Sequence, residues 1–572
     1  MRWQLPAESD RAAVAELARE LRLPEAVAEI LVRRGHATPE LAHGFLNAPL
    51  ADLPDPFTMK GMELAAARLA KAVKARERII LFGDYDVDGV TSTALMTGVL
   101  RELGAASEFY IPNRLEEGYG LNVEAVGKLA DKGPGLLIAL DCGVTAVGEV
   151  EHAVKRGLEV LVVDHHTTPA VLPPALAILN PHQPGCAYPT KVLCAAGVAF
   201  NLLLALRKRL REDGFFVGRN EPNLRAWLDL VALATVADVV PLQGANRVLV
   251  RHGLVELGKA NRPGIRALKQ VAGVEPTAPV TAGQVGFRLG PRINAAGRLG
   301  AAAHAVELLT TPDAAIAQRI ATSLDGQNRE RQAIERKMIG EAMALGEAQA
   351  KAGAKALVIA SEGWHAGVVG IVAARVVDRL HRPTVVVALD GDTGKGSARS
   401  IEGFHLYDAI ASASGHLERF GGHRHAAGIT VKADKLDAFR EALQAHAATA
   451  LSEQDLVPRL RLDAPLELDS VDLALVEALE QLGPFGAGNP EPVFFGPAKA
   501  REVRVLANKG EGEPHLKLKL EARSNGLGAI GFGLGGLKDL AAGPMLAAFQ
   551  LGIDDFNGAR RPQLKLKHLK SA

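Results

Sequence analysis

The segment IILFGDYDVDG (79–89) decides the fold: four apolar residues run straight into an acidic turn flanked by glycines, and helical spacing resumes behind it. An apolar run this short, stopped by Gly and Asp, reads as a strand buried on both faces. The pattern repeats outward. EFYI (108–111), LLIAL (136–140) and LEVLVV (158–163) are similar runs, separated by helical segments near 90–104, 122–131 and 145–156. Strands and helices alternating in this way predict a parallel sheet covered by helices on both sides, an α/β lobe. Helical segments near 192–211 and 224–240 extend it.

Before this lobe, residues 1–75 read as helices, with Val14, Leu17 and Leu21, then Leu64, Leu69 and Val73, at helical spacing. After it, Ile316, Ile320, Leu324, Ile334, Met338 and Leu345 predict one long helix over about 313–351, which carries a charged face, NRERQAIERK. A second strand–helix pattern follows at once, from KALVIAS (355–361) through PTVVVAL (383–389). The long helix is therefore read as a connector between two α/β lobes. Beyond 458 the period becomes two, in LRLDAPLEL (460–468), VRVL (503–506), HLKLKLEA (515–522), GAIGFGL (528–534) and QLKLKHL (563–569). These strands fit a small barrel or a sandwich, and their period does not choose. The expected divisions are 1–75, 76–312, 313–352, 353–450 and 451–572.

Composition removes several classes of function. With 48% hydrophobic and 23% charged residues, the 572-residue chain can bury several cores. The net charge of +1 excludes a uniformly basic coat, so any site for a polyanion must be built locally. The longest apolar stretch, LDLVALATVADVV (228–240), carries two aspartates and is shorter than the roughly 20 residues of a membrane-spanning helix. No secretory signal is readable at the N-terminus, and three cysteines without a CxxC pair fit a reducing cytoplasm.

Ligands of doubly wound sheets bind beyond the carboxyl ends of the strands, and here those ends are acidic. The first strand runs into Asp84, Asp86 and Asp88, LLIAL into Asp141, and LEVLVV into Asp164-His165-His166, while Asp238 interrupts an apolar helix. Carboxylates gathered in a partly dry cleft repel one another, and divalent cations relieve that conflict. An oxygen-rich set with imidazoles suits two Mn²⁺ or Mg²⁺ ions, with Asp141 able to bridge them. The chemistry that follows is two-metal hydrolysis of a phosphoester, with ions about 3.5–4 Å apart. Asp88 is read as a helix cap, since Gly89 and Thr91 begin a helix.

Motif order adds a resemblance. GDYDVDG, LDCG (140–143), VVDHH (162–166), ATVADVVPL (234–242), GPRINAAGRLG (290–300), GSARSIEGFHLYDAI (396–410), GGHRHAAG (421–428) and GPFGAGNPEP (483–492) together resemble the DHH phosphoesterase superfamily, within it the single-strand-specific 5′→3′ DNA exonucleases, over roughly 78–535. The resemblance implies a DHH catalytic lobe, a smaller DHHA1 lobe facing it across a substrate cleft, and a C-terminal OB-like domain that helps to hold single-stranded DNA. It further implies that Asp84 binds one ion and Asp86 the other, that Asp141 bridges them, and that His165 and Asp238 complete the second site. His166 then contacts the phosphate or orients a ligand, and Asp164 orients a histidine from behind. Some members carry a histidine where this chain has Ile80, which predicts a first ion held by fewer protein groups and easily exchanged. A monomeric cytoplasmic repair and recombination enzyme is implied, with single-strand-binding protein and other repair proteins as partners.

Further residues are candidates for substrate contacts. Arg292 and Arg298 lie among glycines suited to close approach to phosphates, and Arg114 follows a strand. Ser397 and Arg399 are candidates for a terminal phosphate, with Gly421, Gly422 and His423 beside it. Trp364 and His365 read equally as cleft residues or a packing corner. GFGLGG (531–536) and GDTGKGS (391–397) imitate nucleotide motifs but lack the required surroundings, so ATP use is not expected. Lys517, Lys519, Arg560, Arg561, Lys565 and Lys567, with Phe494, Phe495, Phe532 and Phe556 near in sequence, form a basic and aromatic set on the terminal strands. Two rivals to a DNA exonuclease are a phosphoesterase of short oligoribonucleotides or cyclic dinucleotides, which needs no extra β domain, and a non-catalytic nucleic-acid scaffold, which needs no intact acidic set.

Overall fold

The computed structural model describes every residue except 114–116, 300–301, 509–511, 523–525 and 556–559. It resolves into two compact units, a smaller one built mainly from Ser323–Leu460 and a larger one built mainly from Trp3–Gly297 and Arg461–Ala572. Among the described residues, no helix is long and apolar enough to cross a membrane.

In the larger unit, β1 (Ile79–Gly83), β2 (Ser107–Tyr110), β3 (Gly135–Leu140), β4 (Leu158–Val163) and β5 (Ala177–Leu179) form one parallel sheet in the order β2-β1-β3-β4-β5. Every residue of β1 is buried, as is Leu136–Leu140 of β3, which explains why these runs read as continuous rather than alternating. The order reverses between β1 and β3, so the crevice at their carboxyl ends is the switch point where such folds bind ligands. The helices around the site are α1 (Val87–Glu102), α2 (Ala195–Glu212), α3 (Leu228–Ala237) and α4 (Gly290–Leu299). Asp238 lies just past the end of α3 rather than within it.

The C-terminal part of this unit is a seven-stranded sheet that includes two strands absent from the sequence reading, Phe494–Ala498 and Met545–Asp554. Its core is shared with the first helices of the chain: Val14, Leu17, Ile30 and Leu31 pack in one cluster with Ala464, Val476, Leu482 and Phe549. Arg247, buried on a helix of the α/β lobe, ties the three parts together. It lies 3.6 Å from the Phe45 ring centroid and donates to the carbonyls of Phe45 and Leu482 at 2.8 and 2.9 Å. Two of the apolar residues at helical spacing fall outside the core: Leu64 is exposed, because Met62–Ala75 buries the face carrying Met62, Ala65, Leu69 and Val73 instead, and Leu345 is exposed where its helix buries Ala342 and Gly346.

The long helix α5 (Ala314–Lys351) runs uninterrupted for 38 residues. In the smaller unit, β6 (Leu357–Glu362), β7 (Thr384–Asp390), β8 (Thr393–Arg399), β9 (Arg419–Gly422) and β10 (Ala426–Lys432) form a sheet in the order β9-β10-β8-β7-β6. GDTGKGS is the β7–β8 turn together with the start of β8, which disposes of its likeness to a phosphate loop.

Candidate active site

Three acidic residues follow three adjacent strands, and the sheet's own ladder fixes them. Asp84 N–H donates to Leu140 O (3.3 Å), Asp141 N–H to Val163 O (3.0 Å) and Asp164 N–H to Leu179 O (3.0 Å). Asp141 takes φ +63°, a left-handed conformation that costs an aspartate about 1–3 kcal/mol. Burial of Leu136–Leu140, at roughly 1.5–3 kcal/mol for each large side chain, outweighs that strain. Gly89 is required behind the loop, since a Cβ there would lie 2.5 Å from the Asp84 carbonyl oxygen.

The side chains converge in three overlapping groups: Asp84, Asp86 and Asp141; Asp141, His165 and His166; and Asp88, His165 and Asp238. Within each group, the candidate ligand atoms all lie within 4.8 Å of one another. His165 Nε2 lies 3.3 Å from Asp141 Oδ1, 3.6 Å from Asp238 Oδ2 and 3.7 Å from Asp88 Oδ2. These buried atoms are not satisfied by hydrogen bonds, for Asp141 Oδ1, His165 Nε2 and Asp238 Oδ2 have no such partner. Native interiors rarely tolerate this, and a hard cation among the three donors removes the penalty.

Electrostatics agrees with the geometry. Burial, then the charges of Asp88, Asp86 and Asp84, pushes the Asp141 carboxyl far above its ordinary range. Burial and the Asp86 charge raise Asp88 to about 7; burial with Asp88 and Asp86 raises Asp238 to about 8. Burial, followed by the neighbouring His166, lowers His165 to about 4 and leaves it a neutral donor. For His166 burial works in the same direction, but the Asp164 hydrogen bond and charge win and raise it to about 9.

Two acids are occupied by backbone donors. Asp164 accepts from the amides of Val144, His165 and His166 at 3.0, 2.7 and 3.1 Å and pairs with His166 Nδ1 at 2.7 Å. Asp88 does not cap its own helix; that role falls to Asp86, whose Oδ1 accepts from Asp88 N–H and Gly89 N–H. Asp88 instead caps α2, accepting from Ala195 N–H at 2.6 Å and Ala196 N–H at 2.8 Å. Asp88 nevertheless stands within reach of His165 and Asp238.

The GPRINAAGR segment lies in helix α4. A Cβ on Gly297 would lie 2.5 Å from the Tyr85 carbonyl oxygen, so this glycine admits protein backbone. Asn294 Oδ1 accepts from Val87 N–H at 3.1 Å, between Asp86 and Asp88. Sequence reasoning missed Asn294, and also Tyr119, whose hydroxyl donates to Asp141 O (3.2 Å) and lies 3.3 Å from His166 Nε2. Asn294→Ala is expected to weaken Mn²⁺ binding about 10- to 100-fold by calorimetry, and Asn294→Asp, which keeps the acceptor, to recover much of it. Unchanged affinity in the alanine variant would show that Asn294 does not hold the loop.

The remaining candidates are dispersed. Arg292 donates to the carbonyls of Arg288 and Val271. In the smaller unit, Arg298 donates to Gly367 O, Trp364 is buried with its indole on Glu341, and His365 accepts from Gly367 N–H. Arg399 donates to Ser397 Oγ at 2.9 Å, and both face Gly370 near the N-terminus of α6 (Val369–Leu380). Gly421 and Gly422 end β9, where Gly422 takes φ +149° and His423 N–H donates to Ala426 O. Arg114 and Phe556 lie outside the described residues.

A carboxylate–imidazole cluster at the switch point of a parallel sheet defines a metal-dependent phosphoesterase of the DHH type. Residues 78–235 match the DHH family N-terminal domain, 353–449 the DHHA1 domain, and 462–568 the RecJ OB domain. The chain belongs to the RecJ family of single-stranded-DNA-specific exonucleases. It is 38% identical to the Bacillus subtilis member, with 99% of this chain and 70% of that protein covered. It is 40% identical to the Dickeya dadantii member, with 92% and 93% covered. A crystal structure of RecJ from Thermus thermophilus in complex with Mn²⁺ superimposes with a TM-score of 0.85 at 34% identity, covering 100% of this chain and 80% of that one; the Mg²⁺ complex gives 0.78 at 31%, covering 100% and 78%.

Proposed function

We propose that this chain is a metal-dependent 5′→3′ exonuclease that hydrolyses the phosphodiester bonds of single-stranded DNA. The observation that carries this reading is the set of buried, unbonded donor atoms on Asp141, His165 and Asp238, gathered at the switch point. Asp84, Asp86, Asp141, His165 and Asp238 would hold two Mn²⁺ or Mg²⁺ ions, with Asp141 shared and Asp88 close to the second. When bound, the cations supply Lewis acidity and lower the pKa of water. Asp164, its oxygens filled by amides and by His166, orients that imidazole and leaves Nε2 as the face offered to a phosphate oxygen.

Ser397 and Arg399, beside a helix N-terminus, supply a hydroxyl, a guanidinium and a favourable dipole for a terminal phosphate, with Gly421, Gly422 and His423 as further contacts. Arg292, Arg298 and Arg114 are assigned to the strand's phosphates. The family resemblance supports a cytoplasmic monomer acting in repair and recombination alongside single-strand-binding protein, and the three free cysteines suit that compartment. The test is Mn²⁺-dependent hydrolysis of labelled single-stranded DNA, short RNA and a cyclic dinucleotide by the full chain. DNA should be cleaved fastest, and faster cleavage of either other substrate overturns the substrate assignment.

The terminal β domain is assigned to the strand-binding track. Lys517 and Lys519 line a hollow of about 880 Å³ with Arg504 and Arg561, while Lys565 faces a second one with Arg251 and Arg560. Lys517, Ile530 and Lys565 are in register across three strands, so Lys517 and Lys565 share the solvent face. Replacing Lys517, Lys519, Lys565 and Lys567 with alanine should flatten the salt dependence of long-strand binding by about 0.7 in the log–log slope per lost contact. Turnover of very short oligonucleotides should stay unchanged. An unaltered slope would leave these lysines as solvation alone.

A further inference from the structure

Two exposed apolar residues, neither with a role in the core, lie on segments that adjoin the cluster. Phe287 is 82% exposed and Val239 69% exposed. Val239 directly follows Asp238 and takes φ +59°, a conformation that β-branched residues avoid. Phe287 lies in a π-helical turn, Val285–Leu289, a rare form that is frequent at functional sites.

The two are carried by segments packed together. A Cβ on Gly286 would touch Val236 at 3.7 Å, and one on Gly290 would lie 3.4 Å from Ala237 and 3.9 Å from Val87. The turn bearing Phe287 thus rests on the residues just before Asp238 and on the residue between Asp86 and Asp88. Arg288, also exposed and donating to Gly273 O at 3.2 Å, follows Phe287 in the same turn, and Arg292 lies one helical turn further on, in α4. An aromatic face, guanidinium groups and an adjoining carboxylate–imidazole cluster match the parts of a nucleotide: a base to stack, phosphates to neutralise and a phosphodiester to place.

We propose that Phe287, with Val239 beside Asp238, forms an apolar lip against which one base of the bound single strand stacks. The inference rests on the nuclease reading above and adds to it a subsite for the base. Stacking on an aromatic ring accepts any base, because each has a π-face, so the lip would fix the strand's depth without imposing sequence preference.

The experiment uses the full chain with Mn²⁺ and 5′-phosphorylated oligothymidylates, each carrying one abasic position among the first several nucleotides. The readout is kcat/KM for the first nucleotide released. Phe287→Ala should lower it roughly 5- to 150-fold on the intact strand, and Phe287→Trp should keep it near wild type. At one abasic position the wild type should fall by a similar factor, and Phe287→Ala should add no further loss. A penalty that is absent, or equal on every strand, overturns the inference while leaving the nuclease reading intact. A wild type inactive on all strands would overturn the nuclease reading, and this inference with it. Equal melting temperatures of the three proteins exclude misfolding as the cause.

Discussion

Asp141→Ala is expected to reduce Mn²⁺-dependent cleavage of single-stranded DNA by more than about a thousandfold while raising the stability of the metal-free protein. Losing a residue that only supports a ligand commonly costs 10- to 100-fold, and Asp141 belongs to two of the three ligand groups, so its loss should cost more. The stability effect has the opposite sign because the site is strained without cations. Asp141, Asp88 and Asp238 all have folded-state pKa values above the ordinary carboxylate range, the last two at about 7 and 8. The folded state therefore holds protons that the unfolded chain releases above about pH 4, and metal-free stability falls as the pH rises from there to about 8. The alanine variant should show a shallower fall, and saturating Mn²⁺ should remove most of it from the wild type. Melting curves from pH 5 to 8, with and without Mn²⁺, check the sign. A metal-free wild type that gains stability toward pH 8 would contradict it.

The second large effect is expected at the strand's end. Arg399→Ala should remove the advantage of a 5′-phosphate over a 5′-hydroxyl, a loss of about 10- to 100-fold on phosphorylated substrates with little change on hydroxylated ones. Burial lowers the Arg399 pKa, and its guanidinium is already oriented by Ser397 Oγ and Ala398 O, so little ordering remains when an anion binds. Arg399→Lys keeps the charge without the fork and should recover only part of the preference. Competition between the two end types in one reaction measures the ratio directly. An unchanged ratio in the alanine variant would take Arg399 out of the end site.

The parallel sheet was legible because its strands are buried on both faces and stop at acids: Ile79–Gly83, Gly135–Leu140 and Leu158–Val163 each begin or end within about a residue of their apolar run. The strands Phe494–Ala498 and Met545–Asp554 were not legible. The first contains Gly496-Pro497 and the second follows Gly543-Pro544, both turn signals that tertiary pairing overrides. The acidic cluster could be read from strand ends, whereas its supports could not. Asp88 caps a helix 107 residues further along, and Asn294 reaches back 207 residues to Val87, separations that no local pattern records. Gly297 shows the same limit: a glycine in a basic motif looks like an approach to phosphate, and only the fold reveals that it admits the Tyr85 carbonyl.

Asp84, Asp86, Asp141, His165 and Asp238 are proposed to form one centre for two cations that share Asp141. Electron paramagnetic resonance during Mn²⁺ titration of the full chain reads this sharing, because two ions bridged by one carboxylate couple their spins. Two Mn²⁺ per chain with a coupled signal are expected in the wild type, and loss of that coupling in Asp141→Ala. A single Mn²⁺ per chain, or two uncoupled ions unaffected by the substitution, would contradict it.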